Sequence, residues 1–287
     1  MSKNDVKSSI PVFRATVLVL VDALLIWIVR GPLAKAPPLQ GLEGFYLLTI
    51  GLVAMTAAFR RLWDGKDVGS LGFRNPFGLR DFGMGLLLGF LLTGAILLVE
   101  MAAGWIKVLG TRTSALVPIV LLAVLQQLPV AVWEETVFRG YVLQNLELGL
   151  GTNWAVALSS VAFGVGHLLG RTVSGWTVYV IPVTLSLLGV MFASAYLVRR
   201  SLYLPIALHI SWNVFGFRVF SLAGNPLKSV AFLATEMTGP GVWVGLPHSD
   251  FGPEVGLLGV LAMLLGTLLL LKIWRRVSRA DARHSRR

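Results

Sequence analysis

The sequence of 287 residues contains no cysteine and few charged side chains. Without cysteine the chain can form no disulfide, no thiolate metal site and no cysteine nucleophile. Charged residues make up only 14% of the chain, whereas a soluble domain carries about 25%. Together with a mean hydropathy of +0.76, this composition indicates a protein that lies in a membrane.

Long apolar segments recur along the chain. A helix needs roughly 20 mostly apolar residues to cross a bilayer. Eight segments approach that length: 12–29, 42–59, 82–101, 115–133, 153–169, 176–198, 202–220 and 254–273. The fourth is expected to continue past Glu134 to about Leu146. The sequence therefore predicts an all-α fold, a polytopic membrane helix bundle of about eight transmembrane helices.

Basic residues exceed acidic ones by 25 to 14 and cluster at the ends of the apolar segments. That placement favours membrane topology over nucleic-acid binding. With eight spans, 18 of the 25 lysines and arginines fall on the side of the N-terminus and seven on the other. We therefore expect a multi-pass protein of the cell membrane with both termini cytoplasmic. Its partners would include the lipid bilayer but no nucleic acid.

Polar residues interrupt the apolar segments at three places. Ionisable groups inside a membrane segment are costly and point to function. The three clusters are WEETVFRG (133–140), FGVGH (163–167) and HISWN (209–213), and they contain two of the four histidines in the chain.

Helical spacing assigns a role to each polar residue. Glu135 and Arg139 are four residues apart, in the order that favours an ion pair. Glu134 is turned about 100° away, so it is available as a general base. Phe163 and His167, and likewise His209 and Asn213, share a helix face by the same spacing. Gly164 and Gly166 beside His167 are expected to allow close helix packing.

These groups suit hydrolysis. A carboxylate can take a proton from water, and histidine and amide donors can stabilise an oxyanion. No H-E-x-x-H is present, but Glu134, His167 and His209 form a possible zinc ligand set. Asn213 fits an amide donor better than a fourth ligand. We expect no metal and no other cofactor.

Four further polar residues stand in apolar segments without a motif. Asp22 is interpreted as packing polarity between helices, and Glu100 as a charge at a helix end. Gln126 and Gln127 fit either contacts between helices or the lining of a cavity. A non-enzymatic membrane regulator, scaffold or immunity protein is the alternative to an enzyme. A transporter is a third reading, because intramembrane carboxylates and histidines also form proton relays.

The three clusters together resemble the CAAX protease and bacteriocin-processing family, also called the ABI family, whose eukaryotic relatives are the Ras-converting CAAX endopeptidases. The family pattern is E-E-x-x-x-R, then F-x-x-x-H, then H-x-x-x-N. Here it is complete in Glu134, Glu135 and Arg139, in Phe163 and His167, and in His209 and Asn213. The resemblance covers roughly residues 115–217, and the later FGPEVGLL also looks like bacterial members.

The resemblance implies an intramembrane endopeptidase with a cavity among its helices. Glu134 and His167 would activate water, His209 and Asn213 would form the oxyanion hole, and Glu135, Arg139 and Phe163 would support the site. It also implies a peptide or protein substrate presented at the membrane, and a bacterial inner membrane as the location. The expected division is 1–114 for N-terminal membrane helices and 115–217 for the catalytic core. Residues 218–287 would hold an interfacial loop, the last transmembrane helix and a basic tail.

Overall fold

A computed structural model describes residues 3–30, 33, 41–169, 171–224 and 231–284. The end of the predicted basic tail and residues 225–230 of the predicted C-terminal segment 218–287 lie outside the described residues. The described residues are mostly helical and contain one pair of strands, which confirms the predicted all-α membrane bundle.

The elements follow one another in this order: α1 (Lys3–Arg30), α2 (Gly41–Ala58), α3 (Gly78–Ala102), β1 (Ile106–Thr111), α4 (Leu116–Glu135), α5 (Gln144–Leu150), α6 (Thr152–Gly166), α7 (Thr177–Arg199), α8 (Tyr203–Asn213), β2 (Leu233–Met237), α9 (Gly241–Val244) and α10 (Leu257–His284). Three π-helical segments extend α2, α4 and α8, namely Phe59–Trp63, Thr136–Leu143 and Val214–Val219. Short 3-10 turns occupy Val68–Leu71, Thr113–Ala115 and Gly252–Val255.

Among the described residues, six helical segments are long and apolar enough to cross a membrane: 9–29, 43–63, 78–102, 113–150, 177–199 and 257–279. The segment 113–150 joins α4, a π-helical segment and α5, which confirms that the fourth predicted span continues past Glu134. The fifth and seventh predicted spans correspond to α6, with 15 residues, and α8, with 11. At 1.5 Å per residue, α6 is about 22 Å long, so helix length alone supports six spans rather than eight.

The chain folds as two compact units. Unit 1 contains Met1–Pro76 and Val132–Leu202, and unit 2 contains Phe77–Ala131 and Tyr203–Arg287. These units follow packing contacts, whereas the predicted boundaries at 114 and 217 follow motif content, and that division stays a prediction.

Within unit 1, α6 and α7 pack closely and run antiparallel. A Cβ atom at Gly164 would lie 2.3 Å from the Pro182 carbonyl oxygen, and one at Gly189 would lie 3.0 Å from Ser160. Gly164, near the end of α6, contacts Pro182 near the start of α7, whereas the earlier Ser160 contacts the later Gly189. The two helices therefore run in opposite directions. The glycines allow this approach, as small residues do at membrane helix interfaces.

A second part of unit 1 is held by a buried carboxylate, Asp64. Arg14 on α1 and Arg60 approach its oxygens at 3.2 and 3.0 Å. The Tyr141 hydroxyl and the Asn145 amide donate to it at 3.3 and 3.2 Å. Because four side chains from three parts of the chain meet at one carboxylate, α1 is anchored to the helix that follows Glu134.

Within unit 2, α3 and α8 pack closely and run parallel. A Cβ atom at Gly85 would lie 2.5 Å from the Leu204 carbonyl oxygen, and one at Gly89 would lie 2.6 Å from Ser211. The Ser211 hydroxyl donates to the Leu86 carbonyl at 2.6 Å.

The two strands of unit 2 form an antiparallel pair, with Ile106 opposite Met237 and Thr111 opposite Leu233. This strand pair was not among the sequence expectations. Its partners are more than 120 residues apart, and no local pattern links them.

Candidate active site

The first motif places an ion pair in the interior of unit 1. Arg139 Nη1 lies 3.0 Å from Glu135 Oε1, and their side chains are 1% and 0% exposed. Arg139 Nη2 also donates to the Gly189 carbonyl on α7 at 2.9 Å. The pair that the spacing of four residues predicts is therefore present, and it is joined to a second helix.

Aromatic rings surround the guanidinium of Arg139. Its Cζ atom lies 4.5 Å from the centroid of Phe163, 5.4 Å from Phe192 and 5.9 Å from Phe138. Cations are attracted to aromatic faces at such distances. Phe163, which the motif includes without an obvious chemical role, thus packs on the cation of the supporting pair.

The second motif places His167 directly after the end of α6. Its Nδ1 lies 2.8 Å from the Phe163 carbonyl oxygen, and the two rings are 4.7 Å apart. A carbonyl only accepts, so Nδ1 must carry the hydrogen. In the neutral ring the other nitrogen, Nε2, is then an acceptor.

Glu134 and His167 line one cavity, which lies wholly within unit 1. The space available to water centres is about 90 Å³. A single water needs about 10–15 Å³ by that measure, so the cavity has room for several. Its wall is formed by Val19, Asp22, Ala23, Ile26, Trp133, Glu134, Val137, Phe138, Ala162, Phe163, Gly166, His167, Leu169 and Arg171.

Unit 2 holds the third motif on α8. His209 is buried, with 4% exposed. The Asn213 amide donates to Gln127 Oε1 on α4 at 2.8 Å. Because an amide nitrogen carries two hydrogens, this bond fixes the plane of the Asn213 side chain while using one of them.

A second contact in unit 2 anchors the same stretch of α8. The Trp212 indole donates to Glu254 Oε1 at 2.9 Å, and both side chains are buried. Glu254 belongs to the FGPEVGLL stretch, which follows α9. The residue just before Asn213 is therefore held by a segment far along the chain.

No group of three or more histidine, aspartate or glutamate side chains is placed to hold a metal ion within either unit, as far as the described residues extend. Metal-independent activity stays a prediction, because it requires a measurement on the protein.

Residues 114–215 match the family model described as Type II CAAX prenyl endopeptidase Rce1-like. Over this segment the chain is similar to the CAAX protease family. All seven motif residues fall inside the match. No curated protein and no solved structure matches the chain.

Similarity to the CAAX protease family supports endopeptidase activity in general terms. Together with the apolar helices, it supports a multi-pass membrane protein of a hydrolase class that cuts peptide bonds.

The sequence alone assigned no functional role to three residues that the structure places beside motif residues or in the cavity wall. Gln127 is a partner of Asn213, which shows one member of the Gln126–Gln127 pair joining two helices. Glu254 holds Trp212. The interpretation of Asp22 as packing polarity between helices is corrected, because its carboxyl group has no hydrogen-bond partner among the described residues and the residue lines the cavity.

Proposed function

We propose that the protein is an intramembrane endopeptidase in which Glu134 and His167 activate a water molecule. The observation that carries the proposal is the cavity of unit 1, whose wall includes both side chains and which has room for water. Its substrate would be a polypeptide presented at the membrane, and the bilayer would be its other partner.

The reaction proceeds by addition of water. Glu134 takes a proton from the water, and the resulting hydroxide attacks the carbonyl carbon of the scissile bond. His167 accepts a hydrogen bond from the same water through Nε2, the nitrogen that its bond to Phe163 leaves as an acceptor. The proton held by Glu134 then passes to the amide nitrogen as the carbon–nitrogen bond breaks, giving a carboxylate and a free amine.

His209 and Asn213 would stabilise the oxyanion of the tetrahedral intermediate. The order of the motifs supports this assignment, and so does the bond between Gln127 and the Asn213 amide, which orients a donor before reaction. Preorganised donors of this kind are worth about 10²–10³ in turnover each.

Glu135 and Arg139 would hold the helix that carries Glu134 without touching the substrate. Their burial and mutual contact support this role. The neighbouring carboxylates thus differ in environment: Glu135 lies against Arg139, and Glu134 lies at the cavity wall.

The test is single-turnover cleavage by purified protein in liposomes, with a degenerate peptide library that includes farnesylated and unmodified members. A chelator is present throughout, and each variant is checked for folding. Glu134→Gln is expected to abolish turnover, and His167→Ala to resemble it. The double variant should be little worse than either, because groups that act as a unit are not additive. Asn213→Ala should retain residual activity.

Different outcomes separate the competing assignments. If Glu135→Gln is inactive and Glu134→Gln is nearly normal, the roles of the two glutamates are exchanged. If all variants cleave as the wild type does, the protease assignment is lost and the scaffold alternative replaces it.

A further inference from the structure

Asp22 is a buried carboxyl group without a hydrogen-bond partner. It lies on α1 and is 5% exposed, and neither of its oxygens has a partner among the described residues. A buried polar group that is left unsatisfied costs free energy. The folded protein therefore carries an acceptor that no described residue uses.

Trp133 carries a buried hydrogen-bond donor that lacks an acceptor, whereas Asp22 carries an acceptor that lacks a donor. It immediately precedes Glu134, is 9% exposed, and its indole N–H has no acceptor among the described residues. A buried indole N–H usually finds a partner.

The same cavity is lined by Asp22, Trp133, Glu134 and His167. One wall thus combines an unsatisfied acceptor and an unsatisfied donor with the proposed water-activating pair. Arg171 is the one other charged side chain in the lining of this cavity, and the remaining lining side chains are apolar and offer no partner to a polar group that enters.

We propose that Asp22 and Trp133 bind the backbone of one residue of an extended substrate next to the scissile bond. Each residue other than proline carries one N–H donor and one carbonyl acceptor, and in an extended chain both can point to the same side. Asp22 accepts from the N–H, and the Trp133 indole donates to the carbonyl. A basic substrate side chain would satisfy Asp22 alone and leave the indole without an acceptor, so the pair favours the backbone. This inference rests on the proposed function.

Asp22 lies on α1, outside the matched segment 114–215. Substrate positioning is therefore assigned to a part of the chain that carries no motif. The network around Asp64, which joins Arg14 on α1 to Tyr141 and Asn145, holds α1 in register with the helix of Glu134.

The experiment uses the library peptide that the wild type cleaves fastest, together with a series in which each backbone N–H in turn is N-methylated. A peptide with every lysine replaced by norleucine serves as the side-chain control. Variants are Asp22→Leu, Asp22→Asn, Trp133→Phe and, as a matched control, Glu100→Gln. Glu100 is likewise buried with both oxygens unsatisfied among the described residues, but it does not line this cavity.

In the wild type, N-methylation at one position is expected to raise KM about tenfold, the value of one good hydrogen bond. Asp22→Leu should raise KM by a similar factor with kcat within about twofold, and should make that position insensitive to N-methylation. Asp22→Asn keeps an acceptor oxygen and should retain the sensitivity. Trp133→Phe should raise KM for all the peptides. Glu100→Gln should leave KM unchanged.

The temperature of thermal unfolding distinguishes a role of Asp22 in substrate binding from a role in stabilising the fold. Asp22→Leu should unfold at the wild-type temperature or higher, because it removes an unsatisfied buried group. A lower unfolding temperature with unchanged KM would overturn the inference while leaving the protease assignment intact. Loss of the Asp22 effect with the norleucine peptide would overturn the backbone assignment.

If the wild type cleaves no better than Glu134→Gln, the proposed function fails and this inference fails with it. Should Asp22→Leu not fold, an unchanged KM in Trp133→Phe would be enough to reject the pair.

Discussion

At the scale of single residues, Arg139 combines three kinds of contact. It pairs with Glu135, donates to the Gly189 carbonyl on α7 and lies among the rings of Phe163 and Phe192. A planar guanidinium can make these contacts at once, whereas a lysine ammonium cannot. The arginine of the first motif is therefore explained by packing within unit 1.

Replacement of Arg139 should destabilise the protein. Arg139→Ala leaves Glu135 buried without its partner, which is expected to cost about 3–5 kcal/mol of unfolding free energy. The double change Glu135→Gln with Arg139→Gln should recover part of the loss. Thermal unfolding in detergent measures both.

The matched control is the exposed pair Arg74–Asp67, whose side chains are 73% and 42% exposed. Arg74→Ala should change the free energy of unfolding by at most about 1 kcal/mol. Wild-type thermal stability in Arg139→Ala would disprove the structural role.

Gln127 is expected to act as a positioning residue for Asn213. Gln127→Leu removes the acceptor that orients the amide. It should lower kcat with little change in KM, by less than the roughly 10²–10³ expected for Asn213→Ala. Gln127→Glu keeps an acceptor and should restore most of the turnover.

Gln126→Leu is the control for this prediction, because its contact with Arg218 is long, at 3.5 Å. Steady-state kinetics on the same library peptide compare the variants. Equal kcat in Gln127→Leu and the wild type would show that Gln127 does not position Asn213 for catalysis.

At the scale of elements, the end of α6 contains two glycines with different surroundings. A Cβ atom at Gly164 would meet the Pro182 carbonyl at 2.3 Å, whereas at Gly166 the nearest contact is Phe138 at 4.0 Å. Gly166 also lines the cavity. One glycine serves helix packing and the other leaves space beside His167, so only the first supports the expected close helix approach.

The two glycines should therefore respond differently to alanine. Gly164→Ala forces α6 away from α7 and is expected to cost about 1–3 kcal/mol of unfolding free energy. Gly166→Ala should unfold like the wild type but cleave more slowly, because its methyl group enters the cavity. Thermal unfolding and turnover are measured on both, and equal behaviour of the pair would contradict this division.

At the scale of the whole molecule, the contacts within each unit support more crossings than helix length alone. Glu147 near the end of α5 pairs with Arg200 just after α7. Two helices that end together end on one side of the membrane, so α6 between them must cross back. The parallel packing of α8 on α3 likewise favours a crossing by α8. Eight and six spans both put the termini on one side.

Labelling can separate eight spans from six, and the absence of cysteine makes it direct. A single cysteine at Ser174 should react with a membrane-impermeant maleimide in intact cells, because that position is expected to be extracytoplasmic. A single cysteine at Leu150 should react only after the cells are opened. A C-terminal phosphatase fusion should be inactive, because the distribution of charge predicts cytoplasmic termini. Labelling of both positions from the same side would support six spans, and an active fusion would reverse the orientation.

Local patterns predicted the parts of the protein that depend on local spacing. The Glu135–Arg139 pair and the continuation of the fourth span past Glu134 depend on residues that are close together along one helix. Three features depend on contacts between distant segments: Asp22 lines the cavity, Gln127 accepts a hydrogen bond from Asn213, and β1 pairs with β2. The periodicity of apolar residues along the sequence does not predict such contacts. Span length was overestimated at α6 because its apolar run continues past Gly166, where the helix ends.

The most direct test of the central claim compares protein termini across the proteome. Cells that produce the wild type and cells that produce Glu134→Gln at equal levels are analysed for peptide N- and C-termini. We expect a small set of new termini in membrane-associated proteins that is present with the wild type and absent with Glu134→Gln. Identical termini in the two, with both proteins folded and inserted, would contradict the assignment of Glu134 as the residue that activates water for peptide hydrolysis.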